Sequence, residues 1–193
     1  MNKAGLLSVA GLGLLLAANA GAEECFSGDQ QSGYLEFRGA VEGSGFSGRF
    51  ERFDVRYCMP ENDPAAGEIE VRVDLSSADS SNRDRDETLK GEEFFHIEQY
   101  PESTWTSTDI KPQGDGFLAN GELRLKGSSA DQQVEFTLQS DADVRSLRGS
   151  FVMLGDAQVD RQRFDVGTGE FADPEFVRNR VDVSFEIELQ GVE

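Results

Sequence analysis

"EIEVRVDL", Glu68 to Leu75, sets Ile69, Val71, Val73 and Leu75 on one side and Glu68, Glu70, Arg72 and Asp74 on the other. Successive side chains of an extended strand point to opposite faces, so period-two alternation predicts a strand with one apolar and one polar face. The C-terminal end repeats the pattern. Val181, Val183, Phe185, Ile187 and Leu189 alternate with Asp182, Ser184, Glu186 and Glu188. Weaker copies lie at Leu35-Phe37, Phe53-Val55-Tyr57, Leu123-Leu125, Val134-Phe136-Leu138 and Leu147 to Met153. Thr104 to Ile110, threonine-rich with a tryptophan, suits the same pleated surface. The sum is about eight antiparallel strands joined by short Gly, Ser and Asp turns, an all-β chain. Such strands bury their apolar faces in a sandwich or in a closed barrel, and alternation alone does not choose. A membrane barrel would turn the carboxylates into a narrow lumen. The chain also ends "IELQGVE" without a terminal aromatic, so the apolar face is expected to point inward.

Upstream, "MNKAGLLSVAGLGLLLAANAGA" places Lys3 before an apolar run from Leu6 to Ala18. Two small-x-small patterns follow, ending at Ala20 and Ala22. This is the architecture of a secretory signal peptide over residues 1–22, cleaved after Ala20 or Ala22, and the apolar run is short for a bilayer span. Residues 23–193 then form one domain of ordinary size, expected in the periplasm. The formal charge of -19 becomes -20 when Lys3 leaves with the signal, which disfavours nucleic acid as a partner.

Cys25 and Cys58 are the only cysteines, and both lie in the exported part. "GSGFSG", Gly43 to Gly48, has dinucleotide-loop spacing, but a strand-like "RFERFDVRY" follows where a phosphate-binding helix is required. The glycines therefore read as a hairpin. Folding back near Gly43 brings Cys25 and Cys58 to facing ends of paired strands, where a disulfide would staple the hairpin's open end. "DRDE", Asp84 to Glu87, fails as a calcium loop because Thr88 takes the third ligand position and Gly91 comes two residues late. The single histidine, His96, has no nucleophile elbow to accompany it and cannot build a multi-histidine metal site. No catalytic residue and no metal site is expected.

The alternation stops between the third and fourth strands. "DSSNRDRDETLKGEEFF" predicts one or two short helices there, capped by Ser81 or Asn82, with Leu89, Phe94 and Phe95 as an apolar patch and Pro101 as the stop. An insertion of this kind covers one end of a sheet or barrel.

Asn82, Arg85-Asp86, Leu89, Phe94-Phe95 and Tyr100-Pro101 resemble the N-x-x-R-D-x-x-L-x-x-x-x-F-F-x-x-x-x-Y-P signature of the YceI-like proteins. Trp105 and Ser107 continue it, and Gly48-Arg49-Phe50, Gly121-x-Leu123-x-Leu125-x-Gly127 and Arg161-x-x-Phe164 extend the likeness over nearly the whole mature chain. Departures fall at Thr88, His96 and Asp165, and in "GSSADQQV" and "VGTGEFADPEF".

The resemblance implies an exported, single, eight-stranded lipocalin-like barrel holding a polyisoprenoid such as a prenyl quinone or prenyl pyrophosphate. On that basis Phe37, Phe53, Trp105, Phe136 and Phe151 are expected to line the lumen, and Leu89, Phe94 and Phe95 its mouth. Arg85 or Arg161 would meet a charged head group, since such a group needs a cation. The expected partners are the isoprenoid lipid and, transiently, a membrane or membrane protein. The competing expectation is a packed barrel without a lipid ligand, serving as an interaction or stress-response module.

Overall fold

A computed structural model describes residues 23–140 and 149–192. The leader over residues 1–22 and Leu147, at the start of one expected strand, lie outside the described residues. Among the described residues the extended segments are β1 (Glu23–Asp29), β2 (Gly33–Val41), β3 (Ser44–Phe50), β4 (Phe53–Pro60), β5 (Glu68–Asp74), β6 (Ala78–Asp79), β7 (Glu102–Gln113), β8 (Gly116–Leu125), β9 (Ser128–Gln139), β10 (Ser150–Asp160) and β11 (Arg180–Gly191), with one α-helix, α1 (Arg83–Lys90), and a few single 3-10 turns. All pairings are antiparallel. The order β1-β4-β5-β7-β8-β9-β10-β11 closes where Phe26 and Ser27 meet Gly191 and Gln190.

This is the expected eight-stranded barrel, with three of its staves, β1/β2, β3/β4 and β5/β6, each broken once. β1 and β2 run in one direction along β11, and β3 and β4 run back beside them. The long hairpin turns at Glu42 and Gly43, whose φ values of 48° and 75° give the twist that two-residue hairpins favour. At its open end Cys25 lies opposite Cys58, and the two form the disulfide. The hairpin and the staple both hold, but the turn takes only Gly43 of the glycine stretch, since Ser44 to Gly48 already belong to β3.

Closure removes free edges, and the inward faces fill the interior. Ile69, Val73, Ile187 and Leu189 are buried, whereas Glu68 and Arg72 are exposed. Between β6, which still pairs with β3, and β7 the chain leaves the wall and lies across one end. α1 begins at Asn82, whose side chain accepts a hydrogen bond from the Arg85 N–H at 3.0 Å. Asp84 and Asp86 occupy its first turn and Lys90 its last, as the helix dipole favours. Arg85 and Asp86 tie it down through Ser80: the Ser80 N–H donates to Asp86, and Arg85 donates to the Ser80 hydroxyl and carbonyl. One helix, not two, forms; Gly91 onward runs as turns to Pro101. The β8–β9 turn at Lys126 and Gly127 sits under the Tyr100 ring, which leaves no space for a side chain at Gly127.

Candidate binding cavity

Buried apolar residues fall into two groups. One fills the end of the barrel nearest the disulfide, and the other lies beneath the α1 cap. Between them is a cavity of about 230 Å³. Its wall is almost wholly apolar, with only Ser103, Gln132, Arg161 and Arg178 contributing polar side chains.

The expected lumen residues separate on this geometry. Phe37, Phe53 and Trp105 lie on the cavity wall, as do Leu89, Phe94 and Phe95 of the cap and Arg161. The cap residues owe their place to the interruption of the strand pattern: Leu89 projects from α1, and Phe94 and Phe95 follow on the turn held by the Phe95 N–H to Leu89 carbonyl bond. Burying each is worth about 2 kcal/mol relative to leaving it in water.

Phe136 and Phe151, by contrast, do not line the space. They belong to a chain of aromatic contacts crossing the barrel. Phe117 stacks on Phe136 at 5.3 Å, Phe136 meets Tyr57 edge-on at 6.2 Å, Tyr57 meets Phe151 at 6.4 Å, and Phe151 meets Phe26 at 4.9 Å. Tyr57 is fully buried, and its hydroxyl donates to the Pro64 carbonyl at 2.7 Å. Burial pushes its phenol well above the ordinary value, so it stays neutral. These rings make a solid floor.

Neither expected head-group cation is free at the mouth. Arg161 is 3% exposed, and its guanidinium donates to the carbonyls of Val166, Gly167, Phe171, Val177 and Arg178. Burial pushes it below the ordinary value of an arginine. Its role is to fold the segment from Val166 to Arg178 onto the barrel. Arg85 is not on the wall: its guanidinium lies 4.4 Å over the Phe46 ring, and it is Phe46 that reaches the cavity.

Phe46, Phe50 and Arg178 are wall residues that sequence reading missed. Phe46 and Phe50 flank Gly48 at period two, and the pattern was hidden because Phe46 fell in the glycine stretch read as a turn and Phe50 in the strand-like segment after it. Arg178 donates to Asp182 at 3.1 Å, and nothing in its sequence surroundings marks it. His96 takes a left-handed backbone with φ 51° and packs edge-on against Tyr100 at 5.8 Å, off the cavity wall. Among the described residues, no three His, Cys, Asp or Glu side chains are placed to hold a metal ion.

Residues 26–189 match the model of the YceI-like domain. A UPF0312 protein of Pectobacterium atrosepticum is 30% identical over 148 residues, covering 74% of this chain and 76% of its own. The crystal structure of Burkholderia cenocepacia BcnA superposes with a TM-score of 0.75 at 22% identity, over 83% of this chain and 98% of that one. A polyisoprenoid-binding domain from Saccharophagus degradans, implicated in plant cell wall breakdown, superposes with a TM-score of 0.61 at 14% identity, over 86% and 98%. The two structural likenesses carry the fold. The family match spans the barrel from β1 to β11, and the chain belongs to the YceI-like family.

Proposed function

We propose that the protein is an exported, non-catalytic carrier or reservoir that holds an isoprenoid of the prenyl quinone or polyprenyl phosphate type. The carrying observation is the apolar cavity of about 230 Å³ enclosed between a solid aromatic floor and a helical cap. A dry, apolar cavity of about 150 Å³ already takes up small hydrocarbons, because water gains too few hydrogen bonds there. Branched five-carbon units suit a wall of phenylalanine, valine and leucine. Burying their surface yields about 25 cal/mol per Å² before the costs of association. A polyisoprenoid-binding domain with the same fold supports the ligand class. The signal-type leader and the disulfide support an oxidising, extracytoplasmic compartment, where cargo exchange would bring the protein transiently to a membrane. The hollow interior weighs against a packed interaction module.

Organic extraction of the purified exported protein, followed by mass spectrometry, tests this reading. A prenyl lipid is expected to co-purify. Absence of any co-purifying lipid, together with no uptake of added prenyl quinone, would overturn it.

A further inference from the structure

The barrel wall has a seam. β9 and β10 pair only from Gln139↔Val152 to Glu135↔Asp156. Continuing that register would set Val134 against Ala157 and Gln133 against Gln158, yet among the described residues the ladder ends before them. Each strand nevertheless stays paired with its other neighbour, β9 with β8 as far as Ser128 and β10 with β11 as far as Asp160. The strands therefore part locally inside an intact wall. The parting is bounded at one end by the last paired residues. At the other, the Arg163 guanidinium donates to the Asp131 carbonyl at 2.9 Å.

One side chain spans it. Gln132 is 7% exposed, and its Nε2 donates to the Gln133 carbonyl at 2.8 Å and across the seam to the Gln158 carbonyl at 3.1 Å. The Trp105 indole N–H holds the Gln132 carbonyl at 3.2 Å. Gln132 and Ala157 border the apolar cavity on one side and a polar outer groove on the other. The Gln132 carboxamide and the small Ala157 side chain thus stand between the two spaces. The groove offers neutral donors and acceptors from Thr108, Asn120, Gln133 and Gln158. Its charged members are three carboxylates, Asp131, Glu135 and Asp156, against Arg163 alone.

We propose that the β9–β10 seam is a lateral mouth of the cavity, where a single-chain amphiphile rests its head in the outer groove with its tail inside. The head it accepts carries no negative charge: a hydroxyl, a carbonyl or an amine. The neutral side chains supply hydrogen bonds, while the carboxylate excess repels a phosphate. This rests on the reading that the cavity takes an apolar chain, and it narrows that reading toward quinone- or alcohol-type isoprenoids.

Geranyl benzoquinone provides the test, because its quenching of Trp105, the sole tryptophan and a cavity-wall residue, reports entry directly. Gln132→Ala opens the seam and Ala157→Phe fills it, so the first is expected to speed uptake and the second to slow it, each by about fivefold. Opposite signs separate a gate from general destabilisation. Geraniol, geranylamine and geranyl phosphate then compete for the site at low salt, where charge effects are least screened. Geraniol and geranylamine are expected to bind at least about tenfold more tightly than the phosphate.

Equal or tighter binding of the phosphate, or uptake rates unmoved by both substitutions, would overturn the seam while leaving the cavity reading intact. Failure of the quinone and of all three competitors to bind would overturn both.

Discussion

The two ends of this barrel are built from the same residue types and do opposite things. Toward the disulfide, Phe26, Tyr57, Phe117, Phe136 and Phe151 meet ring to ring and leave no space. Beneath the cap, Phe37, Phe50, Phe94 and Phe95 are also aromatic, but they surround a void. The difference is one of support. Floor rings come from strands on several sides of the barrel and lock one another through three edge-on contacts and one stacked pair, both arrangements that aromatic quadrupoles favour. Cap rings from the β5–β7 insertion lie over the end of the barrel instead of crossing it, so the interior below them stays open. Hydrophobic content sets whether a barrel folds; where each ring sits along the axis sets whether it is hollow.

That contrast can be broken from either side. Phe136→Ala carries the largest expected effect, a loss of about 4 kcal/mol in urea unfolding, because the floor is close-packed and cannot collapse onto the missing ring. A loss below about 1 kcal/mol would mean the floor is not solid. Replacing both Cys25 and Cys58 by serine frees a loop closed over 33 residues at the same end, with an expected cost of about 3.5 kcal/mol. The check is the unfolding midpoint of the oxidised parent, which should fall toward that of the variant on reduction.

Phe94→Ala, beneath the cap, should cost less, about 2 kcal/mol, since its ring borders empty space on one side and packs on Phe171 at 5.0 Å on another. It should also weaken prenyl quinone binding by about tenfold in a fluorescence titration. A stability loss equal to that of Phe136→Ala would erase the distinction between the two ends.

The smallest effect concerns Asp74, which leads β5 into the cap. Burial works to raise its carboxyl, but hydrogen bonds from Ser76 and Arg52 outweigh this and hold it below the ordinary 3.8. A depressed carboxylate contributes stability that is complete above the ordinary value and is lost as pH falls through the lower folded-state value. Asp74→Asn is therefore expected to cost a few tenths of a kcal/mol at neutral pH, with the gap to the parent closing below pH 3.8 in acid titration. A gap that stays constant across that range would show that the charge contributes nothing.

Much of this architecture was legible in the residues. β5 and β11 alternate cleanly because each keeps one face to the core along its whole length. β1 to β4 were harder to read, for a physical reason. Between Phe26 and Leu35 the inward positions are nine residues apart, and between Phe50 and Phe53 three, both odd intervals. The bends at Gln30–Ser32 and Glu51–Arg52 each flip the strand's faces, so the alternation falls out of phase. The paired flips keep the aromatics inside on both sides of the bend.

The cap was legible because it interrupts a pattern. Phe136 and Phe151 were not assigned to the floor because alternation reports which face a residue occupies, not its height along the barrel. Arg161 shows the same limit for charge. A cation can be read from sequence, but the five carbonyls that enclose it come from residues brought together only by the fold.

The strand that closes the barrel has a further consequence for how the chain reaches this state. β11 joins β10, its near neighbour in sequence, to β1 and β2, with Val183 opposite Phe37. Every other stave pairs with the one before it, so those contacts can form between neighbours in sequence, with the cap insertion as the longest loop between two of them. Sealing the barrel requires contacts between opposite ends of the domain, the slow class of event in folding. Until it happens, the last hairpin and the first each present an unpaired edge, the configuration in which β proteins recruit one another. The disulfide holds one of those edges in shape while the other arrives.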